Sequence, residues 1–140
     1  MENVRIIVTD WATDRDRMRA IRHPVFVLEQ EVPETIEQDA HDAVSSHVIA
    51  VLEDVDVGTG RLAPNGHLGR VAVLKEHRNR GVGRAIMQAL IQVARDQSFP
   101  GVELSSQMHA LGFYQGLGFE VSGEPFMEAG IPHLPMRLKL

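Results

Sequence analysis

The sequence predicts an α/β domain, and three observations carry that prediction. The hydrophobic pattern alternates between a period of two residues, typical of strands, and one of about 3.6, typical of helices. No internal repeat, low-complexity tract or long linker divides the chain, and 140 residues with 44% hydrophobic content suit one domain, spanning residues 1–140, with a substantial core. The third observation is a unit of strand, basic turn and helix between Arg70 and Gly83.

The periodicity predicts an ordered set of strands and helices. The predicted strands are residues 4–8, 47–52, 57–62, 71–73, 102–105, 119–122 and 134–140. The predicted helices are residues 14–22, 83–97 and 110–116. Asp10 or Thr13 can cap the first helix. The strands at 47–52 and 57–62 form an antiparallel hairpin, and the right-handed crossover rule makes the strand at 102–105 parallel to that at 71–73.

Two segments have patterns that fit more than one structure. After Pro24, the apolar run 25–30 suits a buried strand, but its position behind a helix suits another helical turn, which we favour. The segment 125–135 has a proline at each end and reads as a structured loop rather than a strand. It is either a loop on the substrate side or a simple connection.

Composition excludes several classes of function. A net charge of −5 argues against a protein that binds nucleic-acid backbones. The absence of cysteine excludes disulfides, thiolate metal sites and a cysteine nucleophile. No apolar run approaches the roughly 20 residues that span a bilayer, so we expect no membrane association and a cytoplasmic protein.

The strand–turn–helix unit is typical of a phosphate-binding cradle. The strand Val71–Val73 leads into Arg78, Asn79 and Arg80, and then into two glycines that open a helix. Glycines let the backbone approach an anion closely, and the free N–H groups at a helix start point towards it. Two glycines at a helix start are also common in ordinary tight turns, so this signal is weak by itself.

A second group of residues makes the strand–turn–helix pattern far more specific. Together, the unit and this group resemble the GCN5-related N-acetyltransferase (GNAT) family, and the resemblance extends along the whole chain. Arg78, Gly81 and Gly83 fit its acyl-CoA signature of Arg or Gln, two residues, Gly, one residue, and Gly or Ala. The second group comprises Gln107, Ala110, Phe113, Tyr114, Leu117, Gly118 and Phe119. The stretches 25–30, 69–73 and 128–133 resemble its ElaA/YjcF-like subgroup.

The resemblance implies a central mixed, mostly antiparallel twisted sheet flanked by helices, with a parallel strand pair splayed around the acyl-CoA site. It implies acetyl-CoA as co-substrate, no metal, and possible homodimers. The residues implied to bind the coenzyme are Val71, Ala72, Val73, Arg78, Asn79, Arg80, Gly81, Val82, Gly83, Arg84 and Gln107. The resemblance implies that the backbone of the strand 71–73 pairs with the pantetheine arm of the coenzyme. It also implies that Gln107 hydrogen-bonds this arm and that the turn holds the pyrophosphate.

The implied reaction is the attack of an amine on a thioester. Resemblance places the hydroxyl of Tyr114 near the thioester sulfur, where a phenol with a pKa of about 10 can protonate the thiolate. A packed helix aromatic is the alternative reading of this residue. A bulge at Gly69 can aim the N–H of Val71 or Ala72 at the oxyanion.

The general base is left open by the sequence. The candidates are Glu29, His67, His109, Glu128 and His133, acting directly or through water. An amine that loses its water on binding has a lowered pKa, and needs no dedicated base. The residues considered for the acceptor are Glu29, Arg61, His109, Glu128 and His133.

Charged residues between Glu29 and Arg70 suggest where the acceptor binds. Six acidic residues either attract a cationic amine at the rim of its pocket or form an ordinary solvated surface: Glu29, Glu31, Glu34, Glu37, Asp39 and Asp42. Arg61 and Arg70, on strands, can bind a carboxylate of the acceptor or pair with nearby acids. The cluster Asp39, His41, Asp42 and His47 contains metal-ligand types, but its spacing matches no standard metal site.

Three classes of function fit these features. The first is an acetyl-CoA-dependent N-acetyltransferase that acts on a small-molecule or peptide amine. The second is a binding module, such as a sensor, that keeps the acyl-CoA site without turnover. The third, a protein with another nucleotide ligand, lacks the Lys-Ser/Thr ending of a P-loop and an acidic ribose partner.

Overall fold

The structure, a computed structural model, describes residues 3–140 apart from the side chain of Ile36. Its strands are β1 (Arg5–Thr9), β2 (Ser46–Leu52), β3 (Val55–Leu62), β4 (Leu68–Val73), β5 (Gly101–Gln107), β6 (Glu120–Val121), β7 (Phe126–Glu128) and β8 (Ile131–Lys139). Its α-helices are α1 (Trp11–Arg22), α2 (Glu34–Glu37), α3 (Val82–Asp96) and α4 (Leu111–Gly116). The π-helix His23–Glu29 follows α1 directly.

The strands form two antiparallel sheets that meet along one edge. One sheet has the order β1-β2-β3-β4, and the other has β5-β8-β6, with β7 also paired to β8. β4 and β5 are parallel and touch at their beginnings, where His67 bridges to Glu103 and the N–H of Glu103 donates to the carbonyl of Gly66 at 3.0 Å. Beyond this point the two strands separate. The predicted α/β fold with a splayed parallel pair is confirmed.

Side chains of β2 that alternate between the two faces of the first sheet show how helices cover both faces. Val48 and Ala50 belong to a buried cluster with Ile86 and Leu90 of α3. Ile49, between them, belongs to a second cluster with residues of α1. Because side chains on a strand alternate between faces, one apolar strand is buried between two helices.

Helix ends follow the capping signals of the sequence. The carboxylate of Asp10 accepts a hydrogen bond from the N–H of Thr13 at 2.8 Å, so Asp10 is the cap of α1. The run 25–30 is helical, as favoured, but it is wound as a π-helix that contains Pro24. The N–H of Gln30 therefore donates to the carbonyl five residues earlier, on Val25, at 3.0 Å.

The prediction of a loop at 125–135 is wrong. This segment contains β7, a turn at Ala129 and Gly130, and the first half of β8, so the last strand begins at Ile131 rather than at residue 134. The two prolines within β8, Pro132 and Pro135, fit because neither removes a needed donor. Pro132 lies beyond the end of β5, whose last residue pairs with His133. The carbonyl of Pro135 accepts from Ser122 at the end of β6, so the missing N–H falls where that pairing stops.

Candidate active site

The separation of β4 from β5 opens a cleft with two adjoining cavities. The turn cavity, about 520 Å³, is lined by Val25, Glu29, Gln30, Val71, Ala72, Val73, His77, Arg78, Asn79, Gly81, Val82, Gly83, Arg84, His109 and Phe113. The inner cavity, about 370 Å³, is lined by Phe26, Gln30, Leu68, Gly69, Arg70, Val71, Met87, Leu104, Ser105, Gln107, His109, Ala110, Tyr114 and His133. The two share Gln30, Val71 and His109, so a long ligand can pass from one into the other.

The wall of the turn cavity is backbone at the start of α3. Asn79 and Gly81 both have positive φ, 64° and 79°, so the chain turns tightly before the helix begins at Val82. The N-cap residue, Gly81, has no side chain that could cap this helix end. The first N–H groups of α3 therefore lack helical partners and, with the positive end of the helix dipole, form a place for an anion. A Cβ on Gly81 would have no atom within 4 Å, so the approach to this backbone is open.

Arg78 crosses the turn cavity. Its Nη1 and Nη2 donate to the two carboxylate oxygens of Glu29 at 2.6 and 2.7 Å, and its Nε donates to the carbonyl of Val73 at 3.0 Å. These bonds to Arg78 lower the pKa of Glu29 and raise that of the guanidinium. The pair ties the π-helix to the end of β4.

A bulge in β4 lies where the two cavities join. Thr59 pairs with Ala72 and Arg61 with Gly69, so two residues of β4, Arg70 and Val71, face a single residue of β3. The positive φ, 50°, is at Arg70, one residue after Gly69, where the sequence predicts the bulge. The bulge places Val71 on the wall of both cavities.

Tyr114 projects from α4 towards the inner cavity. Its ring packs edge-on against Phe113 and Phe119, with centroids 5.1 and 6.1 Å apart. Burial raises the pKa of the phenol above its ordinary value. The hydroxyl therefore keeps its proton at neutral pH and is available as an acid.

His133 and His109 are the histidines that line the inner cavity. His133 is 7% exposed and stacks on Phe126. Its Nδ1 lies 2.7 Å from the carbonyl oxygen of Ile131. A carbonyl only accepts hydrogen bonds, so Nδ1 carries the hydrogen and, in the neutral ring, Nε2 keeps its lone pair.

A network of largely buried ion pairs connects two arginines with three carboxylates outside the lining of the cavities. Arg22 donates to the carboxylates of Glu37 and Asp42, and Arg61 donates to Asp42 at 3.0 Å and to Asp39 at 2.8 Å. Burial opposes ionisation of Asp42, but the hydrogen bonds from the arginines outweigh it and hold the pKa of this carboxyl below its usual value. The network joins α1, α2 and β3.

Arg70 connects this network to the inner cavity. Its Nε donates to the carbonyl of Glu37 at 3.0 Å and its Nη2 to the carboxylate of Asp39 at 3.2 Å. The side chain is 30% exposed, and the residue lines the inner cavity.

Some of the predicted acceptor residues lie elsewhere. Arg61 is 6% exposed, belongs to the buried network and lines neither cavity, because Asp39 and Asp42 hold its guanidinium. Glu128 is exposed on β7 and His67 lies at the outer junction of β4 and β5, and neither lines the cleft. The predictions of a site role for these three residues do not match their positions.

The predicted acidic rim is also wrong in its main part. Glu37, Asp39 and Asp42 are ion-paired with arginines of the network rather than turned to a ligand. Within residues 3–140, no group of three or more His, Asp or Glu side chains is arranged to hold a metal ion. None of the helices described there is long and apolar enough to cross a membrane.

Sequence reasoning missed several residues that line the inner cavity. Phe26 belongs to the π-helix, Gln30 directly follows its last residue, and Ser105 comes from β5. The period-two pattern of β5 gave a usable signal, because Ser105 alternates with the buried Leu104 and Ser106. No local signal shows that the end of the π-helix turns towards β4.

Comparison with known proteins identifies the class of this fold and cleft. The acetyltransferase (GNAT) domain model matches residues 15–140. The uncharacterised N-acetyltransferase YjcF of Bacillus subtilis is 42% identical over 120 residues, covering 83% of this chain and 86% of YjcF. A crystal structure of an acyl-CoA N-acyltransferase from Pseudomonas aeruginosa is 28% identical with a TM-score of 0.85, covering 96% of this chain and 99% of that one.

The chain belongs to the GNAT family of acetyltransferases and is an acyltransferase. ElaA of Escherichia coli shares its fold, with a TM-score of 0.84 at 24% identity over 96% of this chain and 99% of ElaA. The 42% identity with YjcF confirms the predicted ElaA/YjcF-like subgroup. A GNAT acetyltransferase from Elizabethkingia anophelis with acetyl-CoA bound has the same fold, with a TM-score of 0.75 at 19% identity and full coverage of both chains.

Proposed function

We propose that this protein transfers the acetyl group of acetyl-CoA directly to the nitrogen of a primary amine. The observation that carries the proposal is the continuity of the cleft from an anion-binding backbone turn to a partly buried, protonated tyrosine. Gln30, Val71 and His109 line both cavities and mark where they join. The family and the acetyl-CoA-bound structure with the same fold support acetyl-CoA as the co-substrate.

In this proposal the turn cavity holds the coenzyme. The N–H groups from Asn79 to Arg84 bind the pyrophosphate, since they combine free donors with a helix N-terminus. Backbone of Val71 and Val73 pairs with the pantetheine arm. Arg78 adds positive charge, and Gln107, at the end of β5, lies close enough to the inner cavity to bond the arm near the thioester.

The chemistry takes place in the inner cavity. The amine nitrogen attacks the thioester carbonyl, and the N–H of Val71 or Ala72, displaced by the bulge, stabilises the oxyanion. When the tetrahedral intermediate collapses, the carbon–sulfur bond breaks and the hydroxyl of Tyr114 gives its proton to the thiolate. The raised pKa of Tyr114 keeps this donor protonated between turnovers.

We assign the role of proton acceptor to His133. Its Nδ1 is engaged by the carbonyl of Ile131, so that Nε2 is the atom able to take the proton released by the attacking amine. Glu29 is excluded by its bonds to Arg78, and Glu128 and His67 by their positions. His109, at the junction of the cavities, is the remaining candidate.

Variants of Tyr114 and His133 test these two roles. When the acceptor is an amine that the wild-type protein acetylates, Tyr114→Phe should lower kcat by about a hundredfold or more, because general acid–base catalysis typically contributes that much. The affinity for acetyl-CoA, measured by calorimetry, should stay unchanged. Phe119→Leu, which alters the packing beside Tyr114 without removing a proton, is the control. Full activity of Tyr114→Phe at neutral pH contradicts the acid role.

His133→Gln separates a base from a structural side chain. The variant should lose activity at neutral pH and recover part of it at high pH, where more of the free amine is already neutral. His109→Gln should show no such recovery. The reverse result moves the role of proton acceptor to His109.

A further inference from the structure

Among the described residues that line the inner cavity, the side chain with a permanent charge is Arg70, and its guanidinium is paired with Asp39 on the side away from the cavity lining. Among the cavity's described lining residues there is no Asp or Glu, and Arg70 is the only Lys or Arg. Ser105, Gln107 and Gln30 supply uncharged polar groups on the same walls. A polyamine or another polycation would find no carboxylate here to pair with its second charge.

The carboxylates near Arg70 do not make the cavity wall negative. Glu37, Asp39 and Asp42 are balanced by Arg22, Arg61 and Arg70, and each of these acids is ion-paired or hydrogen-bonded within the network. Of these six residues, Arg70 alone lines the cavity. Burial, together with the positive charge of Arg61, lowers the pKa of Arg70. Asp39 and Glu37 offset part of this effect, and a ligand carboxylate beside the guanidinium would offset more of it.

We infer that the amine acceptor carries a carboxylate and that Arg70 binds it, which makes a free amino acid or a molecule of that size and charge the substrate. This inference rests on the proposed function. The cavity volume of about 370 Å³ lies at the small end of ligand pockets and suits an acceptor of this size. Arg70 is held from the side of α2 by Glu37 and Asp39, so its guanidinium is positioned before the substrate arrives.

The test compares matched acceptors on the intact protein. We would measure kcat/KM by thiol release from acetyl-CoA for a broad panel of L-amino acids, the primary amide of each, and linear polyamines. An amino-acid amide has the less basic amine, and more of it is neutral at a given pH. A preference for the free acid therefore cannot come from amine basicity.

We expect the preferred amino acid to exceed its amide by about ten- to hundredfold, the range for a hydrogen bond to a charged group. Arg70→Gln should bring that ratio close to one while leaving the affinity for acetyl-CoA unchanged. The control is Arg17→Gln, which removes a surface arginine paired with Asp56 and should keep the ratio. Arg70→Lys should restore part of the preference.

Several results would overturn the inference. One is a wild-type enzyme that acts faster on amides or polyamines than on the free acids, and this result is available even if Arg70→Gln does not fold. Another is a folded Arg70→Gln variant that retains the preference. Turnover of polyamines alone contradicts the inference and leaves the proposed function standing, whereas acetyl-CoA binding without turnover of any amine contradicts both.

Discussion

The two cavities of the cleft are built in different ways. The turn cavity owes its chemistry to the backbone of one continuous stretch, from the strand β4 to the first turn of α3. The inner cavity owes its chemistry to side chains from the π-helix, β4, β5, α4 and β8, and its one arginine is positioned by a network that reaches α1 and α2. A backbone cradle suits a coenzyme common to a whole family, and a side-chain site can change its acceptor by substitution.

The turn cavity and the inner cavity should also differ in how easily a substitution destabilises them. A backbone turn needs few supporting contacts, whereas Arg70 depends on buried ions that must remain paired. Removing one partner of a buried ion pair leaves an uncompensated charge in an environment with little water. The acceptor side is therefore the more fragile half of the site.

The largest expected effect is on stability and comes from Asp42. Asp42→Ala leaves both Arg22 and Arg61 short of a carboxylate and should lower the free energy of unfolding by about 3–5 kcal/mol. Asp56→Ala breaks the partly exposed pair with Arg17 and should cost only about 0–1 kcal/mol. Urea unfolding of both variants measures the contrast, and equal losses would contradict the role given to the buried network.

The second effect is on the coenzyme side. Gly81→Asp should weaken acetyl-CoA binding by about tenfold or more, because it places a carboxylate beside the phosphate-binding N–H groups. Gly130→Asp is the matched control, since Gly130 has a similar positive φ of 76° and open space around it but lies in the β7–β8 turn. Calorimetric titration should show normal binding for Gly130→Asp. Equal loss in both variants would indicate backbone strain rather than a lost phosphate site.

The third effect is a loss of stability in acid, in two stages. Burial lowers the pKa of His47, so the unfolded chain binds a proton more readily and stability falls as the pH drops below about 6.5. The pKa of Asp42 is also lowered, and its contribution is lost later, as the pH falls through about 4 and below. Unfolding should be followed from pH 8 to pH 3. His47→Gln should remove the first stage only, and a first stage that persists in this variant belongs to another group.

The smallest effect concerns the ion pair between Glu29 and Arg78 in the turn cavity. The carboxylate of Glu29 competes with the coenzyme phosphates for Arg78. Glu29→Gln removes this charge and should raise the affinity for acetyl-CoA by about two- to fivefold, as expected for an exposed ion pair. Glu31→Gln, on an exposed carboxylate that lines neither cavity, should leave it unchanged. A weaker affinity in Glu29→Gln would show that this pair positions Arg78 for the coenzyme instead of withholding it.

The sequence predicts the turn cavity better than the inner cavity. The reason is again that the first is built from one continuous stretch of chain and the second from distant segments. The turn, its glycines and the helix after it are neighbours in the chain, so their spacing already predicts their geometry. The pairing of Arg61 with Asp39 spans 22 residues and that of Arg70 with Asp39 spans 31, and nothing local distinguishes such acids from a solvated surface. The last strand is predicted at 134–140, but its first residues, 131–133, are missed because of Pro132 and Pro135, whose missing donors fall where β5 and β6 end.

The measurement that tests the central claim most directly follows the acetyl group itself. The protein is incubated with acetyl-CoA labelled with carbon-13 in the acetyl group and with the amine panel, and the products are analysed by mass spectrometry. Direct transfer predicts a labelled N-acetyl amide formed in equal amount to free CoA, with no label left on the protein. Labelled acetate in place of the amide, a labelled protein, or no amine-dependent release of CoA would contradict the account.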